Sequence, residues 1–220
     1  MDKIIIVDDH PVVINGLRSI FMVQGGYSVT GEATNADDAI NLLCEELPDI
    51  LLVDIELGCG INGIELVRRV REAFPCVKIL VMSLDDGSLY AERAIRAGAR
   101  GFISKVDLMD SIFTALETIK QGEIYLSSEI CSIIACNHFR DYIKPLNGRD
   151  VVGLTDRELE VFQLIGRGYK RDEIAEKLNI SVSTLEVHRR KIRIKMNIPD
   201  ASALTKAAIQ HEAERFNIEP

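Results

Sequence analysis

MDKIIIVDDH, residues 1–10, sets four apolar residues, Ile4 to Val7, directly before two aspartates. The run is far shorter than the ~20 residues a membrane helix needs, and two carboxylates close it, so it reads as a buried strand and not as a secretory signal. Branched side chains at every position suit a strand covered on both faces, as in a parallel sheet. Similar short runs recur further along: YSVTGEA (27–33), DILLVD (49–54), VKILVMS (77–83) and GFIS (101–104). Helical patterns lie between and after them, near 11–24, 36–46, 63–74, 87–98 and 107–121. Five strand–helix units in this order predict an α/β domain built on a doubly wound, five-stranded parallel sheet.

The carboxyl ends of the strands form the binding edge of such a sheet. Asp8 and Asp9 follow the first strand, Asp54 ends the third, Ser83 ends the fourth and Lys105 follows the fifth. Three gathered carboxylates repel one another unless a cation intervenes. A hard divalent ion, Mg²⁺ or Mn²⁺, answers that need through carboxylates, a backbone carbonyl and water. With a hydroxyl and an ammonium alongside, Asp54 becomes a candidate nucleophile for phosphoryl transfer.

After residue 121 the alternation stops. Residues 127–139 predict one more helix, and RDYIKPLNGRDVVG (140–153) reads as a hinge; together, 122–153 form the expected linker. From Leu154 onward the pattern is helical, near 155–167, 170–178, 182–196 and 200–214. Thr155 and Glu158 have the spacing of a capping box, with Leu154 and Leu159 placed as a hydrophobic staple. The short connection LNIS marks a helix-turn-helix within a small all-α domain. Its second helix contains STLEVHRRKIRIK (183–195), in which five of the last seven residues are Lys or Arg.

At 100° per residue, Leu185, His188, Ile192 and Met196 share one face, and Glu186, Val187, Arg190, Lys191 and Ile194 occupy the other. His188 is thereby expected to be a packed, hydrogen-bonded helix residue rather than a ligand or catalyst. The outer face suits a DNA major groove, where Arg bridges guanine O6 and N7 and an apolar group meets a thymine methyl. The formal charge agrees. Residues 154–220 hold 12 Lys/Arg and 11 Asp/Glu; the totals of 26 and 34 leave 14 and 23 for residues 1–153, so the two parts carry +1 and −9. The five cysteines (44, 59, 76, 131, 136) form no CxxC pair and are expected to be buried, reduced thiols, with a metal site or redox switch as the alternative.

VDDH, LLVDIE, VMS and AGARGFISK resemble the receiver domain of two-component response regulators, with its flavodoxin-like sheet, across residues 1–121. Residues 154–220 resemble the LuxR-type helix-turn-helix domain through LTDRELEVFQLI, Gly168, EIAEKLNIS, Ser183, Thr184 and Val187–His188. The pair in this order is similar to a NarL/FixJ-type regulator. The resemblance implies a cytoplasmic transcription regulator, phosphorylated on Asp54 by a sensor histidine kinase. Asp8, Asp9, Asp54 and the Glu56 carbonyl would serve the metal. Ser83 and Lys105 would hold the phosphoryl group, and Phe102 would be the aromatic that moves on activation. Double-stranded DNA with paired half-sites would meet Glu186, Val187, Arg190, Lys191, Lys170, Arg171, Ser183 and Thr184. Homodimerisation on activation is implied, no membrane is involved, and RNA polymerase is a further partner open to such a regulator.

Several positions depart from the family pattern. The loop IELGCGING (55–63) has Gly58 where proline is usual and one residue more, Leu84 follows Ser83 where a smaller residue is common, and Glu56 and Asp85 are expected to tune the phosphoryl lifetime. Glu186 stands where Lys is common, and Asp172 replaces a usually basic residue that Lys170 and Arg171 could supplant. Three readings of Glu186 are open: a pair with Arg190 at i+4, a capping-box partner of Ser183, or an acceptor for cytosine N4. Two rivals to the whole reading also stand. An aspartate-nucleophile phosphatase would use Glu56 as acid and base, and a phosphorylation-independent regulator would use its receiver for protein contacts alone. The receiver is expected to be no enzyme beyond phosphoryl transfer to its own Asp54 and its loss.

Overall fold

The computed structural model describes the backbone of residues 1–58, 61–84, 88–143 and 153–215. Asp85, residues 59–60 of the loop after Asp54 and residues 144–152 of the expected linker lie outside the described residues, as do Cys59 and the Cys136 side chain. The chain divides into two compact units, Met1–Phe139 and Arg140–Pro220.

In the first unit, β1 (Asp2–Val7), β2 (Tyr27–Ala33), β3 (Ile50–Asp54), β4 (Lys78–Ser83) and β5 (Gly101–Ser104) alternate with α1 (Pro11–Gln24), α2 (Ala36–Glu45), α3 (Gly63–Ala73), α4 (Ser88–Ala97) and α5 (Leu108–Lys120). The strands pair in parallel in the order β2-β1-β3-β4-β5. Strand order therefore reverses beside β1, which places a crevice at the carboxyl ends of β1 and β3. Ile4 to Val7 and all of β3 are buried, so both sheet faces are covered. Ile4, Ile6, Ile50 and Leu52 face α1 and α5, where they join Leu17, Phe21, Ile112 and Leu116 in one core. Each such side chain contributes roughly 1.5–3 kcal/mol of transfer free energy.

Local chemistry sets the helix starts. Asn35 and Asn62 accept from the backbone N–H groups of Asp38 and Glu65 at 2.9 Å each, capping α2 and α3. Pro11 opens α1 at a position where its missing N–H costs nothing. The extra helix, α6, spans Ser128–Ile143. Before it, Tyr125 exchanges backbone hydrogen bonds of 3.0 Å with Arg100 and Phe102 at the β5 edge, a pairing that its sequence neighbourhood does not announce.

The second unit contains α7 (Asp156–Gly166), α8 (Arg171–Lys177), α9 (Val182–Lys195) and α10 (Ala201–Arg215). Thr155 and Glu158 form the expected capping box, and Leu154 and Leu159 are buried. The turn between α8 and α9 closes through Asn179, whose φ of 48° lies in the left-handed region that Asn tolerates. The Ile180 N–H then donates to the Ala175 carbonyl at 2.9 Å. One expectation is corrected here: Cys44, Cys76 and Cys131 are free but exposed, not buried. Their helix and loop positions turn outward because branched aliphatics already fill the core.

Candidate functional site

At the carboxyl edge of the sheet, the chain brings together the groups its sequence singles out. Asp8 is held where β1 ends by its N–H bond to the Ala33 carbonyl at 3.0 Å, and the Ile55 N–H donates to the Met82 carbonyl at 3.1 Å just beyond Asp54. Lys105 is carried over the same edge by its N–H bond to the Ser83 carbonyl at 2.7 Å. Its Nζ lies 2.6 Å from Asp54 Oδ2 and 2.7 Å from Asp8 Oδ2. Asp8, Asp54 and Ser83 are buried, and so is Phe102 on β5, which pairs with Val81 two residues before Ser83.

Burial, helped by the Asp8 charge, pushes the Asp54 carboxyl up to about 7 against the lowering effect of the Lys105 ammonium. The Glu56 backbone N–H also donates to the Asp54 carboxylate. The Glu56 side chain is exposed. Burial alone would lower the Lys105 ammonium, but Asp54 and Asp8 outweigh it and hold the group above its ordinary range. A buried carboxylate and a fixed cation thus face each other in a low-dielectric recess.

His10 is a component that the sequence reading passed over. Its backbone N–H donates to Asp8 Oδ1 at 2.9 Å, and its Nδ1 lies 2.6 Å from Asp9 Oδ1 and 3.2 Å from Asp8 Oδ1. The only signal was its place directly after the aspartate pair. Ligand atoms of Asp8, Asp9, His10 and Asp54 all lie within 4.8 Å of one another. Three carboxylates of hard oxygen character, with a single ammonium set against two of them, fit a small divalent cation.

Two glycines shape the recess. A Cβ at Gly58 would stand 2.9 Å from Asp9 Oδ2, so the loop passes close over that carboxylate. A Cβ at Gly63 would stand 2.0 Å from the Asp54 carbonyl, and the Gly63 N–H donates to the Ile55 carbonyl at 2.9 Å. Leu84 points to solvent beside Ser83.

On α9 the two faces divide as the helical spacing predicts. Leu185, Ile192 and Met196 are buried; Glu186, Val187, Arg190, Lys191 and Ile194 are exposed. Lys170 and Arg171 at the start of α8, and Ser183 and Thr184 in the first turn of α9, are exposed as well. The helix is capped by Ser181, whose Oγ accepts from the Thr184 N–H at 3.1 Å and bonds to the Ser183 and Thr184 hydroxyls at 2.7 and 2.8 Å. The cations of the basic run separate by role. Lys195 is tied to the buried Glu158 at 2.6 Å, whereas Arg190 and Lys191 project outward. His188 is packed as expected but not hydrogen-bonded at Nδ1, which is buried with no partner among the described residues. Burial first, then the charges of Arg157 and Lys191, lower its pKa and keep the imidazole neutral.

Residues 4–117 match the family model of the response regulator receiver domain. Residues 152–208 match that of the bacterial regulatory proteins of the luxR family. The chain is 30% identical to the oxygen regulatory protein NreC of Staphylococcus epidermidis, over 97% of this chain and 100% of the relative. It is 31% identical to NreC of Staphylococcus aureus with the same coverage. A LuxR-family two-component response regulator from Aurantimonas is 34% identical, with a TM-score of 0.60, over 63% of this chain and 99% of that one. RcsB of Salmonella typhimurium, 22% identical with a TM-score of 0.68 over 95% of this chain and 97% of that one, shares the fold. A receiver domain joined to a LuxR-type DNA-binding domain places this chain among the response regulators of the NarL/FixJ family.

Proposed function

We propose that Asp54 accepts a phosphoryl group from the phosphohistidine of a sensor kinase, and that the resulting change governs dimerisation and DNA binding. The observation that carries this reading is the buried Asp54 carboxylate held 2.6 Å from Lys105 Nζ. An oxygen of ionised Asp54 attacks phosphorus, the phosphorus–nitrogen bond to imidazole breaks, and an acyl phosphate remains on the protein. Lys105 follows the charge as it moves from the carboxylate to the phosphoryl oxygens, and Ser83 lies at the same edge to donate to one of them. Asp8, Asp9, Asp54 and the Glu56 carbonyl would hold Mg²⁺ or Mn²⁺. That ion, when bound, offsets negative charge on the phosphoryl oxygens.

Population shift transmits the event: a phosphorylated Asp54 favours whichever state gives Ser83, Lys105 and Phe102 their better contacts. Two copies of the second unit then present α9 to paired half-sites of double-stranded DNA, with Glu186, Val187 and Arg190 toward base edges and Lys170, Arg171, Lys191, Ser183 and Thr184 toward the backbone. RcsB, a neighbour of the same fold, is described bound to promoter DNA in the presence of a phosphomimetic. Among the described residues no helix is long and apolar enough to cross a membrane, and a regulator of this kind would act on DNA in the cytoplasm.

Mass spectrometry after treatment with a small phosphodonor and Mg²⁺ tests the proposal. A single added phosphoryl group is expected on the wild type and none on Asp54→Asn. Continuous turnover of a phosphomonoester would instead support the phosphatase.

A further inference from the structure

Glu186 is the one carboxylate on an outer face of α9 that also carries Val187, Arg190, Lys191 and Ile194, where it would repel DNA phosphates unless it had a specific use. Glu186 performs neither of the two structural duties open to it, the cap of α9 and a pair with Arg190. Ser181 caps α9 with its own Oγ and draws in the Ser183 and Thr184 hydroxyls, so the helix start needs nothing from Glu186. The ion pairs of Glu186 run to Arg171 on α8 and Arg189 on α9, not to Arg190 one turn on.

Both of those contacts are 3.9 Å from Glu186 Oε1. That is close enough for charge compensation and too long for a hydrogen bond. Glu186 makes no hydrogen bond among the described residues, and its side chain is 48% exposed. The carboxylate is therefore electrostatically supported by two guanidinium groups while its lone pairs remain available. Beside it, Val187 is 52% exposed and Arg190 projects from the same face one turn on.

We propose that Glu186 is a specificity-determining residue, its carboxylate accepting a hydrogen bond from the 4-amino group of a cytosine in the major groove. The inference rests on the reading of α9 as the groove-facing helix. Base-edge chemistry singles out cytosine. Guanine and thymine offer only acceptors there, which repel a carboxylate, and the adenine amino group stands beside the N7 acceptor; cytosine alone presents an amino donor without an adjacent acceptor. Arg171 and Arg189 offset the repulsion from nearby phosphates, so an acidic reader can operate in a strongly negative groove.

Selection from randomised duplexes by the full-length, phosphodonor-treated protein tests this. The wild type is expected to require cytosine at one position of each half-site. Glu186→Lys should move that position to guanine, and Glu186→Gln should move it toward adenine, with the other positions retained. At the selected site, a cytosine analogue lacking the 4-amino group should weaken wild-type binding about 10-fold and leave Glu186→Ala unaffected. Unchanged preferences in all three variants, or an affinity change of equal factor on every duplex, would overturn the inference and reduce Glu186 to a surface charge. If Arg190→Ala relaxes selection while the Glu186 variants do not, only this inference falls. If the wild type selects no sequence at all, the groove-facing reading of α9 falls with it. Circular dichroism of each variant confirms that an exposed position has left the helices intact.

Discussion

Asp54 is ionised at a cost, and its neighbours show how the chain manages that cost. Burial raises the carboxyl to about 7 from an ordinary value of 3.8, so the folded state binds this proton more tightly than the unfolded chain does. The contribution of Asp54 to the stability of the metal-free protein therefore falls as the pH rises from about 4 to about 7 and levels off above that. Asp54→Asn removes the penalty: in metal-free buffer its melting temperature should exceed the wild type's at pH 8 by several degrees, and the advantage should vanish near pH 4. A divalent ion should narrow the gap at pH 8 by stabilising the wild type alone.

The two glycines beside this carboxylate predict opposite behaviour. Gly63→Ala sets a Cβ against the backbone carbonyl of Asp54, which cannot move without breaking β3, and should cost about 3 kcal/mol or more in denaturant unfolding. Gly58→Ala meets only the tip of the Asp9 side chain. It should leave stability within roughly 0.5 kcal/mol while weakening Mn²⁺ binding several-fold by calorimetry.

Helices α7 and α9 are joined through one buried carboxylate. Glu158 caps its own helix by accepting from the Thr155 N–H at 2.8 Å and also receives Lys195 from the last turn of α9 at 2.6 Å. Burial would raise its pKa, but Lys195 and Thr155 outweigh burial and lower it. The stability this tie contributes is thus present above the ordinary glutamate range and is lost as the pH falls through the lowered value. Glu158→Ala should destabilise the helical unit by about 2 kcal/mol, read from thermal unfolding, and should loosen the register of α9. Among the elements, the capping box of α7 and the two faces of α9 were legible, because both follow from residues three and four apart. The true cap of α9 was less so: Ser181 and Ser183 are equally suited by type, and only the backbone path out of the Asn179 turn makes Ser181 the cap.

Over the whole molecule, the charge difference between residues 1–153 (−9) and 154–220 (+1) leaves the second segment far less repulsive toward DNA phosphates than the first. Phosphodonor treatment should raise the affinity of the wild-type chain for its selected duplex and leave Asp54→Asn unchanged. Lys170→Ala should weaken all duplexes alike and flatten the dependence of log affinity on log salt by about 1, whereas Arg190→Ala should relax sequence preference.

Residues close together along the chain were enough to determine the order of strands and helices, the polar groups at the strand ends and the outward cations of α9. Periodicity and capping are local, and a parallel sheet has few ways to arrange five such units. Distance in space decided the rest. His10 turns back onto Asp9, Gly58 passes over the same carboxylate, Tyr125 extends the β5 edge, and Glu186 meets Arg171 across the helix-turn-helix. Each of these depends on where a turn or a neighbouring element delivers a side chain to within a few ångströms, which composition and spacing do not encode.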